Sequence, residues 1–347
     1  MERHRREGFS HMIGWAVSAF FMLLYTSWLD IRNRYDLIHV HNLPDFLVFS
    51  AITPRLRGCP VLLNVHDPTP ELTRSKLRLP PEHILVRVQT LIENVCVAFS
   101  SHVITASPTF RNILISRGIP ADKISVVMNA ADPRYFKPDA CGDSNRKEKN
   151  RGEPSRFALL YVGTVARRYG LETCVTALPL LKKHIPGVQL HVYPKIKDEG
   201  EALDSCLRLA ERLGVGDLVS VHDPAPLEQM PQIMKAADLG VYPALRDCHM
   251  DIALSLKIPE MISVGLPVVS SRLSVLEDLY GDEAVAFVPS GDPEAFAARV
   301  IELYDNPKVR RELAQKALER SAALTWDTQY QMYWQVLESM LAKTALA

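Results

Sequence analysis

The stretch Ser255-Leu-Lys-Ile-Pro-Glu-Met-Ile-Ser-Val-Gly-Leu-Pro-Val-Val-Ser-Ser271 joins a short helix to a buried strand. Pro259 suits the first turn of a helix, where its missing N–H leaves no hydrogen bond unmade. Gly265 supplies the helix stop, and Pro267 just beyond it blocks continuation. Val268 and Val269 then open an apolar strand. Lys257 and Glu260 are three residues apart, so they share a face if the helix starts early. An ammonium and a carboxylate at the mouth of a βα unit suit a polar, phosphorylated ligand. A surface helix carrying one ion pair is the simpler alternative.

Upstream of this stretch the same alternation recurs. Residues 157–162, 188–193, 218–221 and 239–242 read as short apolar strands, and 268–270 and 284–288 continue the series. Between and after them, residues 171–184, 202–213, 293–304, 309–324 and 328–343 carry helical spacing. Residues 35–41, 61–66, 101–107 and 124–128 form an earlier set of strands, with a helix predicted over 85–99. Short apolar strands alternating with helices predict parallel sheets covered on both faces. The fold class is therefore α/β, with two doubly wound, Rossmann-like domains facing across a cleft.

The predicted divisions are an apolar helical region at 1–34, a partial first domain at 35–138 and a polar linker at 139–156. A second domain at 157–325 and a carboxyl-terminal helix at 326–347, crossing back to the first domain, complete the chain. Doubly wound sheets bind ligands beyond the carboxyl ends of their strands. That rule selects His41, Asn42, His66, Asp67, Ser107, Asn129, Gly163, Thr164 and the Lys257/Glu260 unit.

Composition narrows the class. The chain has 347 residues, 23% charged and 47% hydrophobic, with a net charge of zero. That balance is ordinary for globular domains and gives no ground for nucleic-acid binding. The six cysteines are scattered without C-x-x-C spacing, so neither a zinc site nor a disulfide framework is indicated, and a cytoplasmic setting fits. Met12–Leu29 is uncharged and mostly apolar, preceded by Arg3, Arg5 and Arg6. Its aromatic and small residues suit a helix buried against a sheet, and its length is borderline for a membrane span. It is compatible with peripheral contact at the inner face of a membrane.

Four passages in this order resemble the retaining glycosyltransferases of family 4, which have the GT-B fold. They are Tyr35-Asp-Leu-Ile-His-Val-His-Asn42, Asn64-Val-His-Asp67, Val126-Val-Met-Asn-Ala-Ala-Asp-Pro-Arg-Tyr-Phe-Lys-Pro138 and the 255–269 stretch. The resemblance implies transfer of a sugar from a nucleotide diphosphate sugar to a hydroxyl acceptor on a glycan, lipid or small molecule. It implies no cofactor and no metal ion. It also implies roles: Glu260 on the ribose diol, Lys257 and Arg168 on the diphosphate, and His66 at the sugar as the catalytic candidate. Gly163, Thr164 and Asp247 would complete the donor side, with His41, Asn42 and Glu71 on the acceptor side.

The sequence departs from the family in three places. In Gly163-Thr-Val-Ala-Arg-Arg-Tyr-Gly-Leu171 the family often has Arg after the first Gly and Lys before the second; this chain has Thr164 and Tyr169. The usual pair of glutamates is absent, and Asp247 replaces the first of them in a variant pattern with Leu254, Lys257 and Glu260; an Asx-turn is the alternative for Asp247. The first strand, Gly-rich turn and helix expected of the first domain are not recognisable, which leaves its sheet with an exposed edge. Two rival functions therefore stand beside the transferase: a nucleotide-sugar epimerase on the same fold, and a non-catalytic donor-binding or scaffold protein.

Overall fold

The computed structural model describes residues 2–137, 156–196 and 200–345. The predicted linker at 139–156 lies, but for Arg156, outside the described residues. The chain divides into two compact units, Met1–Met128 with Gln329–Ala347, and Asn129–Thr328.

The first unit is built on four parallel strands in sequence order: β1 (Ile38–His41), β2 (Val61–Val65), β3 (His102–Thr105) and β4 (Ile124–Val126). Successive side chains of a strand point to opposite faces, so each strand serves two cores. Val61, Leu63, Val65 and Val103 pack with Val48, Cys96, Val97 and Leu114 on one face. Leu62 and Ile104 pack on the other against Val336 and Met340 of helix Trp326–Ala345. Full burial of a side chain such as Leu62 contributes about 1.5–3 kcal/mol. β1 is an edge strand with no fully buried residue.

Helix Glu2–Asn33 does not match the prediction of a buried helix. Trp15, Phe21 and Ile31 are 49%, 63% and 72% exposed, and Phe20, Tyr25 and Trp28 are exposed as well. Its apolar residues run around the whole circumference, whereas a neighbour can cover only one side of a helix. That one side is held by an Arg57–Asp30 ion pair of 2.5 Å and a Ser27–Thr53 hydroxyl contact of 2.7 Å. Among the described residues, no helix is long and apolar enough to cross a membrane.

The second unit holds six parallel strands: β5 (Phe157–Val162), β6 (Val188–Tyr193), β7 (Val219–Val221), β8 (Leu239–Tyr242), β9 (Val268–Ser271) and β10 (Ala286–Val288). Their spatial order is β10-β9-β8-β5-β6-β7, the doubly wound arrangement whose direction reverses between β5 and β8. Helices Leu171–His184, Glu201–Arg212 and Pro293–Asp305 cover one face, where Leu159, Tyr161, Leu178, Leu190, Val192 and Phe296 belong to the main core. The reversal point sets a crevice at the carboxyl ends of β5 and β8, where open α/β sheets take their ligands.

Candidate functional site

Helix Lys257–Ser263 begins two residues before Pro259, so Lys257 and Glu260 do lie one turn apart on it. Gly265 follows at φ +74°, in the left-handed region that ends the helix. The helix aims Lys257 at the β5 terminus. A Cβ on Gly163 would stand 2.3 Å from Lys257 Cε, so the lysine stem lies directly over this glycine. Gly163 and Lys257 thus meet at the reversal point of the sheet.

The turn after β5 is fixed by close backbone packing. Gly170, at φ +69°, has no room for a side chain, because a Cβ there would lie 1.8 Å from the Pro243 carbonyl oxygen. Leu245 N–H donates to the Arg168 carbonyl at 2.8 Å, tying the turn to the segment after β8. The Tyr161 hydroxyl donates to the Thr164 carbonyl at 2.9 Å, which holds Thr164 at the start of the turn. The Arg168 guanidinium lies 5.1 Å from the Tyr169 ring centroid and donates to its hydroxyl at 3.2 Å. Arg168 Nη1 is buried and makes no hydrogen bond among the described residues.

Three tyrosines that sequence reasoning did not select surround Lys257. Its ammonium lies 4.3 Å from the Tyr169 ring centroid, 5.7 Å from Tyr242 and 5.8 Å from Tyr161. Burial pushes the Tyr161 and Tyr242 hydroxyls up, so both stay neutral phenols. Burial also pushes the Glu260 carboxyl up to about 7, with Lys257 pulling against it. Glu260 is therefore a partly desolvated carboxylate poised near neutrality, as functional carboxylates are.

Asp247 lies in the loop between β8 and helix Lys257–Ser263. Its Oδ1 accepts the backbone N–H groups of His249 and Met250, both at 2.8 Å. This is the turn-forming role offered by the alternative reading, and it commits that oxygen to the loop itself. Asp251 holds the start of helix Ser274–Tyr280 by accepting Ser274 N–H at 2.8 Å.

In the first unit, β1 and β2 bring His41 and His66 together at the carboxyl edge of the sheet. Their rings stack at 5.2 Å, with Nδ1 of His41 3.0 Å from Nε2 of His66. Burial, then the charge His41 can carry, pushes His66 below the usual histidine range. The His39 ring lies 4.3 Å from that of His41, tilted by 31°, and its Nδ1 meets the Tyr333 hydroxyl at 2.9 Å. Asn42 brackets this edge: its amide donates to Asp45 at 3.0 Å and to the Asp67 carbonyl at 2.8 Å, and its oxygen accepts His66 N–H at 2.8 Å. Asn42 is 8% exposed, so its side chain positions the His66 strand end and is not presented to a ligand.

Glu71 is also placed differently from the acceptor-side expectation. It is buried, and Arg117 Nη2 donates to its Oε1 at 2.5 Å while Nη1 of the same arginine pairs with buried Glu93. The turn before Glu71 opens helix Thr69–Leu77, which carries its side chain inward.

Comparison with known proteins agrees with this architecture. A family model described as glycosyl transferases group 1 matches residues 156–306, and one described as glycosyltransferase family 4 matches residues 2–135. A D-inositol 3-phosphate glycosyltransferase from Thermomonospora curvata is 24% identical over 305 residues, covering 85% of this chain and 69% of its own. Another from an Arthrobacter species is 26% identical over 319 residues, covering 89% and 73%. Among solved structures, a sucrose-phosphate synthase from Thermosynechococcus elongatus superposes with a TM-score of 0.74 at 20% identity, over 93% of this chain and 78% of that one. HepE from Anabaena, solved in complex with UDP, gives a TM-score of 0.74 at 19% identity, over 91% and 82%. The chain belongs to the family 4 glycosyltransferases, and its two parallel-sheet units are the Rossmann-like domains of the GT-B fold.

Proposed function

We propose that this glycosyltransferase takes its sugar from a nucleoside diphosphate sugar and passes it, with retention at the anomeric carbon, to a hydroxyl group of a glycan, lipid or small molecule. The observation that carries this reading is the placement of Lys257 over Gly163, one helical turn from Glu260, at the reversal point of the second sheet. HepE has been solved with UDP-glucose as well as with UDP, which supports a donor of that class.

The chemistry follows from the charge that the reaction develops. The bond between the anomeric carbon and the phosphate oxygen breaks, and the electron pair leaves with the diphosphate. Lys257 and Arg168 are cations already held at the site, so they meet that charge without reorganisation. The acceptor hydroxyl attacks the same face of the sugar and yields its proton to the departing diphosphate oxygen. Glu260, when ionised, accepts the two hydroxyls of the ribose, and His66 keeps the contact with the sugar that the resemblance implies. The reading assigns no role to a metal ion, and turnover is expected to be unchanged by EDTA.

Calorimetric titration with UDP tests the assignment. Glu260→Ala is expected to lose at least tenfold in affinity, and equal affinity would remove Glu260 from the ribose. The pH dependence follows from its raised value of about 7. Only the ionised carboxylate accepts both hydroxyls, so affinity falls as pH drops through 7, by about tenfold between pH 8 and pH 6. Glu260→Gln serves as the reference for the nucleotide's own titration and lacks this increment. The epimerase reading needs a carboxyl acid or base at the sugar, and Glu71 is instead paired with Arg117 inside the first unit. No specific observation favours the non-catalytic reading.

A further inference from the structure

We propose that Tyr169 is a positioning residue that holds both cations of the donor site, Lys257 and Arg168, on one ring. The inference rests on the nucleoside diphosphate reading above. Position 169, directly before the second glycine of the turn, carries an aromatic ring. Lys257 Nζ reaches the Tyr169 ring from helix Lys257–Ser263, and it is closer to this ring, at 4.3 Å, than to either of the other two tyrosines. Arg168 approaches the same residue at 5.1 Å and adds a hydrogen bond to the hydroxyl.

The electrostatics favour this division of labour. An aromatic face attracts a cation through its quadrupole and carries no charge of its own. It therefore orders Lys257 and Arg168 without neutralising either, as a carboxylate would. The buried Nη1 of Arg168 adds a donor that makes no hydrogen bond among the described residues. Gly170 then explains why the ring cannot drift: its backbone is wedged against the Pro243 carbonyl and fixes the turn that carries Tyr169.

The test compares Tyr169→Leu, which removes the ring, with Tyr169→Phe, which keeps it. The ligand-free readout is the rate of reductive methylation of Lys257, followed by mass spectrometry. It is expected to rise at least threefold in Tyr169→Leu and to stay within a factor of two in Tyr169→Phe. The binding readout is the affinity for UDP and for inorganic pyrophosphate, measured by calorimetry. Both ligands are expected to bind about tenfold more weakly to Tyr169→Leu and less than threefold more weakly to Tyr169→Phe. Unchanged labelling and unchanged affinity in Tyr169→Leu, with affinity lost in Lys257→Ala, would overturn the platform and leave the donor reading intact. Failure of the wild type to bind either ligand would sink the donor reading, and unchanged Lys257 labelling would then overturn the platform independently. Circular dichroism of Tyr169→Leu separates a local loss from unfolding, and Tyr169→Phe supplies the folded comparison.

Discussion

Arg117→Leu is expected to destabilise the first unit by about 3–5 kcal/mol, the cost of leaving a buried charge without its partner. Arg117 bridges Glu71 and Glu93, whose carboxyl groups come from helices Thr69–Leu77 and Ile84–Phe99. Glu93 is 1% exposed and Glu71 7% exposed, so water cannot take over the arginine's role. The cluster also reaches toward the His41–His66 edge, because Arg117 acts on Asp45, which accepts from Asn42 and Thr69. Urea unfolding followed by far-ultraviolet circular dichroism measures the loss. The sign of its pH dependence is fixed by Glu93, which burial pushes up to about 7. A carboxyl raised in the folded state costs nothing below its unfolded value; the cost grows as pH rises above that value and levels off only above the folded one, which loss of Arg117 raises further. The variant should therefore be closest to wild type near pH 5 and furthest from it above pH 7. Adding Glu71→Gln and Glu93→Gln removes both stranded charges and is expected to restore most of the stability. A variant as stable as wild type at pH 8 would mean that the carboxyl groups are neutral and the bridge idle.

The contrast between this cluster and the donor-side residues shows what a sequence makes legible. Lys257, Glu260 and Gly265 are read from one contiguous stretch, because helix periodicity and a glycine stop are local properties of the chain. Gly163 and Gly170 are legible for the same reason, as the boundaries of a strand, a turn and a helix. The strand pattern also carries the α/β class, since short apolar runs between amphipathic helices have few other solutions. The Glu71–Arg117 pair joins residues 46 positions apart, and His39 finds Tyr333 across 294. Nothing local marks such partners. Glu71 and Asn42 consequently read as exposed polar residues after strands, whereas burial has turned both into internal supports. The tyrosines about Lys257 come from β5, the following turn and β8, and they converge only when the sheet reverses direction. Helix Glu2–Asn33 fails in the opposite sense. Its apolar composition satisfies the rule for burial, but composition does not say whether a neighbour exists to cover each side.

Gly163→Ala and Gly170→Ala should separate the stability of the second unit from its binding chemistry, since the two glycines meet different kinds of atom. At Gly170 the added methyl would lie 1.8 Å from a carbonyl oxygen of the Pro243 backbone, which cannot swing aside. A left-handed conformation costs an alanine about 1–2 kcal/mol, and forced overpacking adds about 1–3 kcal/mol. A loss of about 2–5 kcal/mol is expected, seen as a lowered urea midpoint, with UDP affinity falling because the turn carrying Arg168 and Tyr169 is displaced. At Gly163 the methyl would meet Lys257 Cε and Nζ, the mobile end of a long side chain, at 2.3 and 2.9 Å. That side chain can move, so the stability cost is confined to the backbone strain of φ +99°, about 1–2 kcal/mol. Binding suffers instead, because the lysine is driven off the strand end it was placed to cover. The decisive measurement is a double-mutant cycle with Lys257→Ala, read as affinity for UDP. Gly163→Ala should weaken binding about as much as Lys257→Ala does, and should weaken it no further once the lysine is gone. Additive losses would show that Gly163 serves the diphosphate through its own backbone, with Lys257 acting independently of it.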